Sequence, residues 1–378
     1  MGDWSELPQE LLHLIAQRID NCFDLIHFRS VCSTWRSHTP PRIRDVSLLQ
    51  CPLPPDEGGF GDDCHMSKRR VYLLKWPSGD RHRYCLLKLR EEENGELVPQ
   101  NLFEMRCSNE YKMEYPRVSF DLLNCQVTEL ECEHMACYTE WFEPFECQFK
   151  AEEKVGFIRL GGGNEDFAVF GRLSFKRLAM FRSVDKCWTI LDPAQRDYEE
   201  TALFNGKFYT VDFSGKTTVV KKPYQEVSFF KMSRPLGKAK TMKRRLIRSG
   251  NELLLVELWM ESLNYREWGK PERRKKIRVK ICKLDEEKEE WDEVEDLGDR
   301  VLFLAYPSSF SCLASDIPVI KGNSVFFMEF WGESRDSHDC ILVFELAEQS
   351  VRSVKDIPAY VELFQSPAGW VISNQWSD

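Results

Sequence analysis

Apolar positions recur at helical spacing twice within residues 7–36. On a wheel of 100° per residue, Leu11, Leu12, Ile15 and Ile19 fall within an arc of about 100°. A second set, Leu25, Phe28, Val31, Cys32 and Trp35, shares a stripe of about 120°. The flanking residues punctuate the pattern. Pro8 suits a first helical turn, where its missing N–H costs nothing, and Glu10 sets negative charge near the positive end of the dipole. Asp20, Asn21 and Asp24 are candidates to end one helix and cap the next, and Pro40-Pro41 stops the second. Two helices are therefore expected. A unit this small cannot hide both apolar faces in its own core, so it must dock on the rest of the chain or on another protein.

The pattern then changes period. Residues 42–70, with CPLPPDEGGFGDD, read as a linker. From Val71 onward, short runs of β-branched and aromatic residues recur between Gly, Pro, Asn and Asp: VYLLKW, YCLLKL, VGFIRL, FAVFGRLSF, GKFYTVDFSG, LLLVELWM, CILVFEL. Some runs echo one another. Asn205 to Asp212 and Lys321 to Glu329 each give a turn signal, then an aromatic strand ending in an acid. Val279–Leu284 with Trp291 parallels Ile341–Leu346 with Val351. Echoes at multiples of roughly 50 residues predict propeller blades of four short strands, about six of them, all degenerate. The expected division is a helical domain at 1–41, a linker at 42–70 and a β-propeller-like domain at 71–378. The chain is thus mainly β with a small N-terminal α unit.

Composition narrows the function classes. The net charge of −9 argues against nonspecific nucleic-acid binding. No uncharged apolar run is long enough to span a membrane, and residues 1–10 lack the basic and apolar regions of a signal peptide. An intracellular, reducing setting is expected, in the nucleus or cytoplasm, so the fourteen cysteines read as thiols. Cys132-x-His134-x-x-Cys137 invites a zinc reading but has no C-x-x-C partner, and strand cysteines are the better account. No cofactor is expected. A G-x-S-x-G elbow, a Walker loop, an H-E-x-x-H pair and a dinucleotide fingerprint are all missing, so no catalytic residue is assigned. Two basic runs remain, at 231–248 and 270–280, the second followed by acids. They read as solvated loops of a charged hairpin, as a nuclear import signal carried by Arg244, Arg245, Arg273, Arg274, Lys275 and Lys276, or as a surface for an acidic partner.

The order Leu7-Pro8, Glu10-Leu11-Leu12, Ile15, Asp24-Leu25, Val31-Cys32, Trp35-Arg36 resembles the F-box, with Ser33 where a Lys is usual. The resemblance implies a helical unit that binds the Skp adaptor of SCF-type ubiquitin ligases, with Leu7, Pro8, Leu11, Leu12, Ile15, Leu25, Val31 and Trp35 as the contacts. Residues 100–360 resemble the β-propeller-like domain that follows the F-box in a large plant family. The residues that carry this are 120–124 (FDLLN), 188–190 (WTI), 205–212, 291–294 with 297–300, Leu302-Phe303, Ser315-Asp316 and 321–323; Cys125 stands where that family has Pro. Together they imply a non-catalytic substrate-recognition subunit, joined through Skp to cullin and ring subunits and holding an unknown protein target. Two alternatives are a Skp-binding scaffold without ligase function and a propeller hydrolase.

Overall fold

The computed structural model of the protein describes residues 4, 7–19, 21–39, 65–91, 97–100, 102–103, 125–142, 147–160, 166–173, 177–192, 198–221, 226–231, 242–260, 276–305, 309–328 and 341–364. The N-terminal unit contains three short helices, α1 (Gln9–Ala16), α2 (Cys22–Ser30) and α3 (Ser33–His38). The second expected helix is thus two. Cys32 is fully extended at φ −160° and ψ 173°, and its sulfur accepts from Trp35 N at 3.5 Å, capping α3 and breaking the helix before it. Across that break Phe28 and Trp35 still meet, with ring centroids 4.4 Å apart. Pro8 serves as the N-cap of α1, one position earlier than expected. Of the three candidates at the second start, Asn21 caps α2, its Oδ1 accepting from Phe23 N at 2.9 Å.

The strands are β1 (His65–Ser78), β2 (Arg81–Glu91), β3 (Leu97–Gln100), β4 (Gln126–Phe142), β5 (Cys147–Arg159), β6 (Phe167–Leu173), β7 (Arg177–Arg182) and β8 (Cys187–Asp192). They continue as β9 (Tyr198–Phe204), β10 (Lys207–Asp212), β11 (Lys216–Lys221), β12 (Glu226–Lys231), β13 (Met242–Ser249), β14 (Glu252–Met260), β15 (Ile277–Asp285) and β16 (Glu290–Glu293). The last are β17 (Arg300–Leu304), β18 (Phe310–Leu313), β19 (Ser324–Met328), β20 (Ile341–Glu345) and β21 (Ser350–Ser353), followed by α4 (Pro358–Phe364). Strand β1 starts at His65, inside the stretch read as linker. Met66 to Arg70 are buried there and pair with β4, which charged side chains at 68–70 had obscured.

Among the described residues four sheets form, ordered β3-β2-β1-β4-β5-β6-β7-β8, β12-β11-β10-β9, β13-β14-β15-β16 and β18-β17-β19-β20-β21. The first is two four-stranded units joined edge to edge where β4 pairs with β5. Counted this way, the described strands group into five units of four or five strands. The innermost strands touch in a ring: β4 with β5, β5 with β9, β9 with β13, β13 with β18, and β18 with β4. Apolar clusters lie between successive blades, such as Phe170 with Phe208, stacked at 4.6 Å, beneath which Gly156 leaves no room for a Cβ.

The sequence echoes have a geometric basis. Lys186, Glu289 and Gln349 each take a positive φ, at 52°, 55° and 49°, at the end of the turn joining the last two strands of a blade. Trp291, on the outer strand β16, is buried and donates its indole N–H to Thr217 Oγ1 of the neighbouring blade at 2.9 Å. At Asn205-Gly206, with φ 47° and 69°, the two-residue turn closes the β9–β10 hairpin. From there Asn205, Lys207 and Tyr209 all reach Glu286 of the next blade at 2.6–2.7 Å. This copy of the motif thus clasps the next blade, whereas in the second copy Lys321 bonds Glu345 and Glu348 of its own blade.

Candidate functional site

Helix α1 divides its apolar side chains between two directions. Leu12 and Ala16 are buried, whereas Leu11, Leu14 and Ile15 are 46%, 51% and 40% exposed. Positions 11, 14 and 15 are spaced i, i+3, i+4 and form one contiguous outward face. Val31, at the junction of α2 and α3, is 56% exposed, and Pro8 is open to solvent. Leu25 and Trp35 are buried, the Trp35 indole donating to Trp4 O at 3.1 Å. So the eight expected contact residues separate. Leu12, Leu25 and Trp35 are interior and hold the helices together; Pro8, Leu11, Ile15 and Val31 look outward, and Leu7 is half-buried. Leu14 was missed. Its signal was density: QELLHLIA carries more aliphatic side chains than one inward stripe can use.

The import candidates also separate. Arg244 and Arg245 are buried within β13, so neither can be presented to a receptor. Their partners are Glu257 of β14 and Glu199 and Glu200 of β9, which a count of basic residues does not reveal. Lys276 is exposed, and Arg273, Arg274 and Lys275 lie outside the described residues.

Arg245 belongs to a charged belt on the inner strands. Lys154 of β5 bridges Glu133 of β4 at 2.5 Å and Glu200 of β9 at 2.9 Å. Arg245 of β13 approaches Glu200 at 3.5 Å, and Arg248 of β13 reaches across to Glu131 of β4 at 3.2 Å. Burial opposes the charge on Lys154, but Glu133 and Glu200 outweigh it and hold the ammonium above its ordinary range. Opposite signs therefore alternate around the axis, and cations neutralise the inner carboxylates. The zinc spacing dissolves on β4: strand alternation sends Cys132 and His134 to one face and Cys137 to the other, and His134 stacks on Phe157. Among the described residues no His, Cys, Asp and Glu cluster could hold a metal.

Burial also bears on Glu131, at the edge of the belt. Burial, then the neighbouring Glu133, raise its pKa from 4.5 to about 7 against the pull of Arg248 and Lys154. The folded state thus binds this proton more readily than the unfolded chain. That contribution to stability is full below about pH 4.5 and is lost as pH rises through about 7. Glu131→Gln is expected to gain stability over the parent at pH 8 and to lose that advantage by pH 5, measured by urea unfolding. An equal difference at both pH values contradicts the assignment.

Comparisons with known proteins agree with this layout. The F-box domain family model matches residues 4–39, and the KIB1-4 beta-propeller family model matches residues 154–346. The F-box/kelch-repeat protein At5g24040 of Arabidopsis thaliana is 51% identical over 376 residues, covering 99% of this chain and 100% of that protein. The F-box protein SKIP23 of the same plant is 32% identical over 411 residues, covering 99% and 97%. No described helix is long and apolar enough to cross a membrane. With three helices that leave an aliphatic face outward, joined to a propeller whose blades clasp one another, this chain belongs to the F-box proteins that carry a KIB1-4 β-propeller.

Proposed function

We propose that the chain is the substrate-recognition subunit of an SCF-type ubiquitin ligase. Its helical unit docks a Skp-type adaptor, and through it cullin and ring subunits, while the propeller holds a protein target. The observation that supports this most directly is the outward face of Leu11, Leu14 and Ile15 on a unit that matches the F-box. Burying such side chains is worth about 1.5–3 kcal/mol each, a gain this chain does not take for itself. Pro8, Val31 and the half-buried Leu7 extend the proposed contact, a helix-in-groove mode. The chain supplies no bond-making group in this reading. It raises the rate by holding target lysines near the ubiquitin-charged enzyme.

Reconstitution tests the proposal. Targets are captured by proximity labelling in cells under proteasome inhibition, then offered to the purified chain with adaptor, cullin and ring subunits. Ubiquitylation of a captured protein, dependent on the chain, is the expected result. An assembly that binds adaptor and target yet never transfers ubiquitin overturns it in favour of a scaffold.

A further inference from the structure

Among the described residues, Phe23 carries the buried apolar contact between the helical unit and the propeller, with Cys22 packed beside it. Phe23, in the first turn of α2, is 1% exposed, and the residues that bury it belong to the first blade. Strand register places Tyr72 opposite Leu87 and Leu74 opposite Cys85, so these four share a face. The reverse face, with Val71, Leu73 and Leu86, packs on the last blade. Propeller blades ordinarily cover each other on both faces. Here β4 pairs directly with β5, so the second blade continues the sheet sideways. Among the described residues, none from β5–β8 joins the cluster around Tyr72.

Phe23 takes that place. Its ring stands edge-on to Tyr72, with centroids 4.8 Å apart and planes at 82°. Asn21 ties the two parts from the side: the Oδ1 that caps α2 also accepts from the Tyr72 hydroxyl at 3.4 Å. Cys22 Sγ lies 3.7 Å from the same hydroxyl. The outward face of α1 is not part of this contact, so both can be occupied at once.

The geometry points to Phe23 as a positioning residue that locks the orientation of the helical unit on the propeller, fixing the spacing between the adaptor-docking face and the blades. Its consequence for ubiquitin transfer rests on the function proposed above; the lock does not. The sequence held a hint, since Phe23 lies about 200° from Leu25 on the α2 wheel, and a helix apolar on opposite sides has two partners.

Phe23→Ala and Phe23→Leu in the full chain, each studied alone and bound to a Skp-type adaptor, test the lock. In Phe23→Ala, adaptor affinity is expected to stay within about threefold of the parent, because the docking face is intact. The pair-distance distribution from small-angle scattering broadens, and amide exchange at 72–74 and 85–87 quickens by about tenfold. Phe23→Leu restores both. If Phe23→Ala loses adaptor binding by misfolding, Leu87→Ala, which empties the pocket from the propeller side, must give the same broadening. A distribution as narrow as the parent's in a folded Phe23→Ala or Leu87→Ala chain overturns the proposal. Broadening in a chain that never supports ubiquitylation leaves the lock standing and removes the ligase reading.

Discussion

Replacing Glu257 with alanine is expected to destabilise the propeller by about 3–5 kcal/mol. Arg244 is fully buried, and its guanidinium is held from three sides. Nε donates to Glu257 Oε1 at 2.8 Å, while Nη1 donates to Phe213 O at 2.7 Å and lies 3.3 Å from Glu199 Oε2. Glu257 is itself fully buried, so its loss leaves a buried cation without its closest counter-charge. The triple variant Arg244→Met, Glu257→Leu and Glu199→Gln removes all three buried charges at similar volume and is expected to recover most of the loss. Urea midpoints at unchanged slope measure both effects. A cost below 1 kcal/mol for Glu257→Ala refutes this reading of the pair.

That pair also shows where sequence reasoning reaches its limit. MKRRLIRS looks like a solvated basic run, and only pairing between β13 and β14 brings Arg244 beside Glu257, thirteen residues away. Local pattern was enough for what local physics decides. The α1 helix, the Asn21 cap and the Asn205-Gly206 turn follow from side-chain oxygens, helical spacing and tolerance of positive φ. The clasp from Tyr209 to Glu286 was visible only as an echo, because its partners lie in different blades. The joining of two units stayed hidden for a related reason: the pairing of β4 with β5 leaves no motif. Within the helical unit, periodicity showed which residues are apolar but not which of them face inward. Leu11 and Leu12 are adjacent in sequence and differ by nearly half of their surface.

That last distinction sets the second large effect, on adaptor binding. Leu14→Asp is expected to weaken binding of a Skp-type adaptor at least a hundredfold while leaving the fold intact. The side chain is half exposed, so the free chain tolerates a carboxylate there. The complex does not, since docking would bury that charge in an apolar contact without a partner. Trp35→Ala is expected to reduce binding by a different route. Trp35 is interior, in contact with Phe28 and bonded to Trp4 O, and its truncation empties the centre of the unit at about 3–5 kcal/mol. The two variants are told apart by circular dichroism and calorimetric binding on the same samples. Leu14→Asp should unfold with the parent and bind weakly; Trp35→Ala should lose helical signal first, and regain affinity at low temperature to the extent that the helices reform. If Leu14→Asp binds as tightly as the parent, the outward face of α1 is not where the adaptor docks, whatever Trp35→Ala does.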